Sequence, residues 1–278
     1  MSEYQPIVDA IAGLQSNAFK DYFLPIGAIA TSALVGFKAA KFAIGHQEDV
    51  KAEIGKIKAL NRVIMDANAM RVSLLAHKAT YFNILPCNPI LRVFALKPTV
   101  GDFYTPKLDE VDLSFVSSHS TVLTTEFERW SNPMYIHALF TNYKSLKMQW
   151  ELFHQKRTEI ESIIDDYALN QIDRDEMING IGHPTLMKLT GLAELTINST
   201  DQLLVELTCF CIAFPHFAKE LISQEYQEKY GRIIEVRLPT ASAIVDLLSL
   251  CTPVDYHVMS EIQGDTLAEI KRVYQPAF

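Results

Sequence analysis

FLPIGAIATSALVGFKAAKFAIG, residues 23–45, is the stretch whose reading decides the fold. It carries no charge from Phe23 to Phe37, then Lys38 and Lys41, then one more apolar turn. A bilayer core is about 30 Å thick, and a helix needs about 20 mostly apolar residues to cross it. At a rise of about 1.5 Å per residue the whole stretch is long enough. Lys38 and Lys41, near one end, can snorkel to the headgroups. The first turns are apolar all round, unlike a surface helix with a single apolar stripe. The expectation is a transmembrane helix over 23–45, with a core helix as the alternative.

Small residues within it, Gly27, Ala28, Thr31, Ser32 and Gly36, would let a second membrane helix approach closely. Glu3, Asp9, Lys20 and Asp21 precede the span, whereas Lys38, Lys41, Lys51, Lys56, Lys58 and Arg62 follow it. Basic residues gather on the cytoplasmic side. This predicts an inner-membrane protein with its N-terminus outside and its body in the cytoplasm. Residues 1–22 read as an amphipathic segment, with Ile7, Ile11 and Leu14 on one face.

With 278 residues, 49% hydrophobic and 21% charged, the chain can bury a large core and is not wholesale disordered. A net charge of −8 disfavours a general nucleic-acid surface. The four cysteines match neither a disulfide framework nor a zinc site and read as small buried apolar residues. No metal and no cofactor is expected.

Beyond the span, residues 46–82 form a proline-free segment with Ile54, Ile57, Leu60, Ile64, Ala67, Val72 and Leu75 at helical steps. This predicts a long juxtamembrane helix. Residues 83–112 hold Pro86, Pro89, Pro98 and Pro106 and read as an extended connector, with Ile90–Leu96 as a short strand. Residues 113–278 read as a helical cytoplasmic body. Asn132 caps a helix opened by Pro133 and running to about Leu169. Asn170 to Pro184 reads as a turn. Thr185–Thr196 and Asp201–Tyr226 read as two helices, broken at Asn198–Thr200, and Arg232–Leu238 alternates like a strand. Leu203–Phe217 is apolar enough to suggest a second span, but Glu206 and Pro215 favour a buried helix. Helices near Ala241–Leu250 and Asp265–Tyr274 close the chain. The fold class is mainly α, with at most one or two short strands.

Chemistry is thinly marked. No phosphate loop, nucleophile elbow or His-Glu-x-x-His motif is present. Arg71 and His77 resemble the Arg-x4-6-His motif of the helical HEPN ribonucleases. That resemblance implies RNA cleavage by Arg71 and His77 as catalytic residues. Asp173, Asp175 and Glu176 lack the glycine and distal glutamate of an EF-hand.

The pieces IKALNRVIMDANAMRVSLL (57–75), DLSFV (112–116) and NPMYIHALFTNYKSLKMQWELFHQKRTEI (132–160) resemble, in pattern, a group of bacterial membrane-anchored helical proteins. Some of those resemble effectors or accessory subunits of antiphage defence. The resemblance brings no catalytic residues. The leading reading is therefore a non-enzymatic, single-pass membrane protein acting by self-association or contact with another protein subunit. It would disturb the membrane in antiviral defence. The alternatives are the ribonuclease and a soluble helical binding module with 23–45 in its core.

Overall fold

Asn132 and Asn88 show how locally this chain is punctuated. Each lies in extended backbone before a proline, and each side-chain oxygen accepts from the first free backbone amides of a helix. Asn132 accepts from Met134 N at 2.9 Å, and Asn88 from Ile90 N at 3.0 Å. The structure, a computed structural model, describes residues 24–97, 103–107, 111–116, 126–170 and 174–275. Among these residues there are ten α-helices and no strand. The fold is mainly α. The expected segment 1–22, and Phe23 itself, lie outside the described residues.

Two compact units make up the chain, 1–55 and 56–278. Helix α1, Leu24–Ala79, contributes to both. In the first unit its apolar side chains are exposed, including Ile29, Leu34, Val35, Phe37, Phe42 and Ile44. Among the described residues no helix is long and apolar enough to cross a membrane. The expected transmembrane segment 23–45 is thus not supported, and Lys38 and Lys41 are what interrupt its apolar run.

The second unit opens with the buried stripe Ile57, Leu60, Ile64, Ala67, Met70 and Leu74 of α1. Helix α2, Pro89–Ala95, follows. This corrects the expected strand: the Asn88–Pro89 cap starts a helix that β-branched propensity does not prevent. After a 3-10 turn at Glu126–Ser131, α3 runs Pro133–Thr158 and buries Ile136, Leu139, Phe140, Tyr143, Leu146, Trp150 and Phe153. It pauses there and resumes as α4, Glu161–Asn170, where one longer helix was expected. Neither proline nor glycine marks that pause. Helix α5, Arg174–Ile181, occupies most of the expected turn, and Gly182 at φ 82° separates it from α6.

Helix α6, His183–Glu220, lies against α3, the 3-10 turn, α2, α5 and the last helices. It is continuous through Asn198–Thr200, where a break was expected. Thr196, Thr200 and Thr208 donate their hydroxyls to the carbonyls four residues back, at 2.6, 2.8 and 2.7 Å. The hydroxyls of Thr196 and Thr200, on either side of the expected break, are thus satisfied by the helix itself. Leu203, Leu204, Leu207, Phe210, Cys211 and Phe214 are core residues of α6.

Helix α7 spans Gln224–Tyr230. Arg232–Leu238, expected as a strand, is neither helix nor strand. Instead the side chain of Asn61 on α1 donates to Arg232 O at 3.0 Å and accepts from Ile234 N at 2.9 Å, standing in for a strand partner. Helices α8 (Ser242–Ser249), α9 (Tyr256–Gln263) and α10 (Leu267–Tyr274) complete the unit. A capping box of Thr266 and Glu269 starts α10.

Candidate functional site

Buried charges are costly unless paired, and four of them lie in the second unit. Lys78 comes from the end of α1, Arg92 from α2, and Glu194 and Asp201 from α6. Lys78 Nζ lies 2.7 Å from Asp201 Oδ1, and Arg92 Nη1 lies 2.8 Å from Glu194 Oε2. All four side chains are buried. Both cations also bind the chain between α8 and α9. Lys78 donates to Leu250 O at 2.8 Å, while Arg92 donates to Thr252 O at 3.1 Å and to Pro253 O. Arg92 Nε reaches Pro86 O at 2.8 Å, and Asp255 N donates to Cys87 O at 2.8 Å.

The electrostatics follow from burial. Burial pushes Glu194 up to about 7, against the pull of Arg92. It raises Asp201 as well, with Lys78 opposing. Cys251 beside Asp201 is pushed up to about 11, first by burial and then by that carboxylate. The centre can therefore hold a proton on Glu194 near neutral pH, and it pins 250–255 to α1 and α2. Its partners are matched in pairs, which is the arrangement of a clamp.

Next to it lies an aromatic cluster. The His77 ring sits 4.2 Å from Trp150 and 4.8 Å from Phe103, centroid to centroid, and His154 stacks on Trp150 at 5.5 Å. Trp150 Nε1 donates to Thr200 Oγ1 at 3.1 Å. Burial pushes His77 down to about 4, helped by His154.

Arg71 and His77, the two residues of the ribonuclease reading, are 4% and 6% exposed. General acid–base groups must come within hydrogen-bond reach of the substrate. In this conformation neither side chain offers that. Arg71 Nη2 donates to Asn68 Oδ1 at 2.8 Å, whereas its Nε and Nη1 are buried with no hydrogen-bond partner. Arg71 lines a groove with Val72, Leu75, Arg237, Ile244 and Leu247.

Of the expected membrane-packing residues, Thr31, Ser32 and Gly36 are exposed on α1. A methyl added at Gly36 would meet nothing within 4 Å. Gly27 and Ala28 are part of the same helix. Among the described residues no group of three or more His, Cys, Asp or Glu is arranged to hold a metal.

Sequence reasoning missed Lys78, Arg92, Glu194 and Asp201. For Arg92 in ILRVFAL and Glu194 in GLAELTI the available signal was a single charge in an apolar run, because such residues are almost never buried unless paired, whereas Lys78 and Asp201 have polar neighbours in the chain and carried no such mark. No family model, curated protein or solved structure matches this chain.

Proposed function

We propose that this protein works by association, using the first part of α1 as an element that inserts into the apolar phase of a membrane. The observation that carries this reading is the exposure of Ile29, Leu34, Val35, Phe37, Phe42 and Ile44 on one continuous helix. At about 100° per residue these six side chains are spread around the helix, not gathered in one stripe. A coiled-coil seam covers one stripe, whereas acyl chains cover a helix from several sides. Lys38 and Lys41 then belong at the headgroup level, where their stems reach along apolar surface. With Lys51 they favour an anionic, cytoplasm-facing leaflet.

The reading needs insertion and anchoring; it does not need a complete crossing. The small residues Thr31, Ser32 and Gly36 suit self-association within the membrane. A role as an effector in antiviral defence rests on the pattern resemblance alone.

The test is vesicle flotation of the purified full-length chain beside a variant carrying Val35→Glu, Phe37→Glu and Phe42→Glu. The wild type should float with anionic vesicles and the variant should not. Equal behaviour of the two contradicts the proposal. Concentration-dependent oligomers that ignore vesicles assign the same surface to a second copy.

A further inference from the structure

Opposite charges three or four residues apart on a helix can pair. Charges eight residues apart lie about 12 Å from each other along the axis and cannot. Lys41 and Asp49 on α1 are such charges, with Gly45 midway between them. Steps of three and four residues keep to one side of a helix, and Lys38, Lys41, Phe42, Gly45, His46 and Asp49 line one hollow there. Lys38, Lys41 and Asp49 are exposed, and among the described residues none of the three forms an ion pair.

Gly45 keeps the space between the two charges open: a Cβ added there would meet nothing within 4 Å. Helical Cα–Cβ bonds tilt toward the N-terminus, which leans Asp49 back over Gly45. Lys41 has a long stem that reaches toward the same notch.

The order of these charges selects the ligand. The inference rests on the insertion of the first part of α1 proposed above, which sets Lys38 and Lys41 at the headgroup level and Asp49 farther from the bilayer. A phospholipid headgroup with a primary amine has the complementary order. Its phosphate is nearest the acyl chains, and its ammonium, two carbons away, faces water and donates hydrogen bonds. A headgroup that is only anionic leaves Asp49 unanswered. A second copy inserted in the same direction sets lysine against lysine.

We propose that the Lys41–Gly45–Asp49 face of α1 binds the headgroup of an aminophospholipid, with Lys38 and Lys41 on the phosphate and Asp49 on the ammonium. Phe42 packs beside the upper acyl chain. No covalent step is involved.

The test is a flotation titration of the full-length chain with two kinds of vesicle. Both hold the same share of phosphatidylglycerol, and the remainder is phosphatidylethanolamine in one and phosphatidylcholine in the other. The choline nitrogen has no N–H to give Asp49. The wild type should bind the ethanolamine vesicles roughly threefold more tightly, which is what one exposed ion pair supplies. Asp49→Asn should bind both kinds alike, and so should Gly45→Leu, which fills the notch and keeps both charges. Equal binding of the wild type to the two vesicles overturns this proposal and leaves insertion standing. A preference that survives in both variants overturns it too, since bilayer packing would then be its source. Binding to neither vesicle overturns the insertion reading itself.

Discussion

Lys78 and Asp201 meet across 2.7 Å in the interior, at 1% and 3% side-chain exposure, and join the end of α1 to the middle of α6. Lys78 Nζ also donates to Leu250 O at 2.8 Å, so the pair and the chain after α8 are held at one point. Breaking a buried pair from one side strands a charge, at a cost of about 3–5 kcal/mol. Lys78→Met alone should lose about that much in urea unfolding. The double variant Lys78→Met with Asp201→Leu should recover most of it. A double variant no better than the worse single one would show that the pair is not the coupled unit described.

Arg92 makes four contacts with one fork: Glu194, Pro86 O, Thr252 O and Pro253 O. A lysine has the charge without the planar geometry. Arg92→Lys should therefore destabilise by about 2–4 kcal/mol, since several charge-assisted hydrogen bonds are lost at once. Hydrogen exchange should speed up at Asp255, whose amide closes the same strap onto Cys87 O. Unchanged exchange there would separate Arg92 from the strap.

Two buried groups give stability a pH dependence of opposite sign. Glu194 rises from 4.5 to about 7 on folding, so between those values the folded state binds more protons. Stability from this residue is therefore lost as pH rises through that window. His77 falls from 6.5 to about 4, so its contribution is full above 6.5 and lost as pH falls towards 4. Glu194→Gln should leave the histidine effect uncovered and steepen the loss of stability from pH 7 to pH 5. His77→Phe should flatten the acid side. Urea unfolding at three pH values checks both, and curves parallel to the wild type would refute the assignment.

Asp66, buried on α1, accepts from Tyr104 Oη at 2.6 Å, Lys107 N at 3.1 Å and Arg62 Nε at 3.2 Å. It ties 103–107 to the helix. Asp66→Ala should cost about 2–3 kcal/mol. It should also bring the Tyr104 hydroxyl back down towards its ordinary pKa, because the hydrogen bond to Asp66 is the first cause of its rise. Ultraviolet titration of the tyrosines reads that directly.

Much of the helical frame was legible in the chain. Ile57, Leu60, Ile64 and Ala67 of the expected stripe are buried and the Asn132–Pro133 start of α3 is placed by its cap, but toward the end of α1 the stripe runs through Met70 and Leu74, and the expected Val72 is exposed. What was not legible depends on partners distant in sequence. Arg232–Leu238 alternates like a strand, but its bonds go to the side chain of Asn61. Asn198–Thr200 looks like a break until the threonines fold their hydroxyls back onto α6. The charged centre was hidden for the same reason: Lys78 and Asp201 are far apart along the chain, and only packing makes them a pair. Arg71 and His77 fit a spacing pattern that says nothing about exposure, and packing buries both.

The central claim is that the exposed apolar part of α1 belongs in a membrane, and fractionation of cells expressing the full-length chain tests it most directly. Membrane pellets washed with carbonate should retain the protein, and detergent should release it. A chain that stays in the supernatant after high-speed centrifugation without detergent would contradict the account.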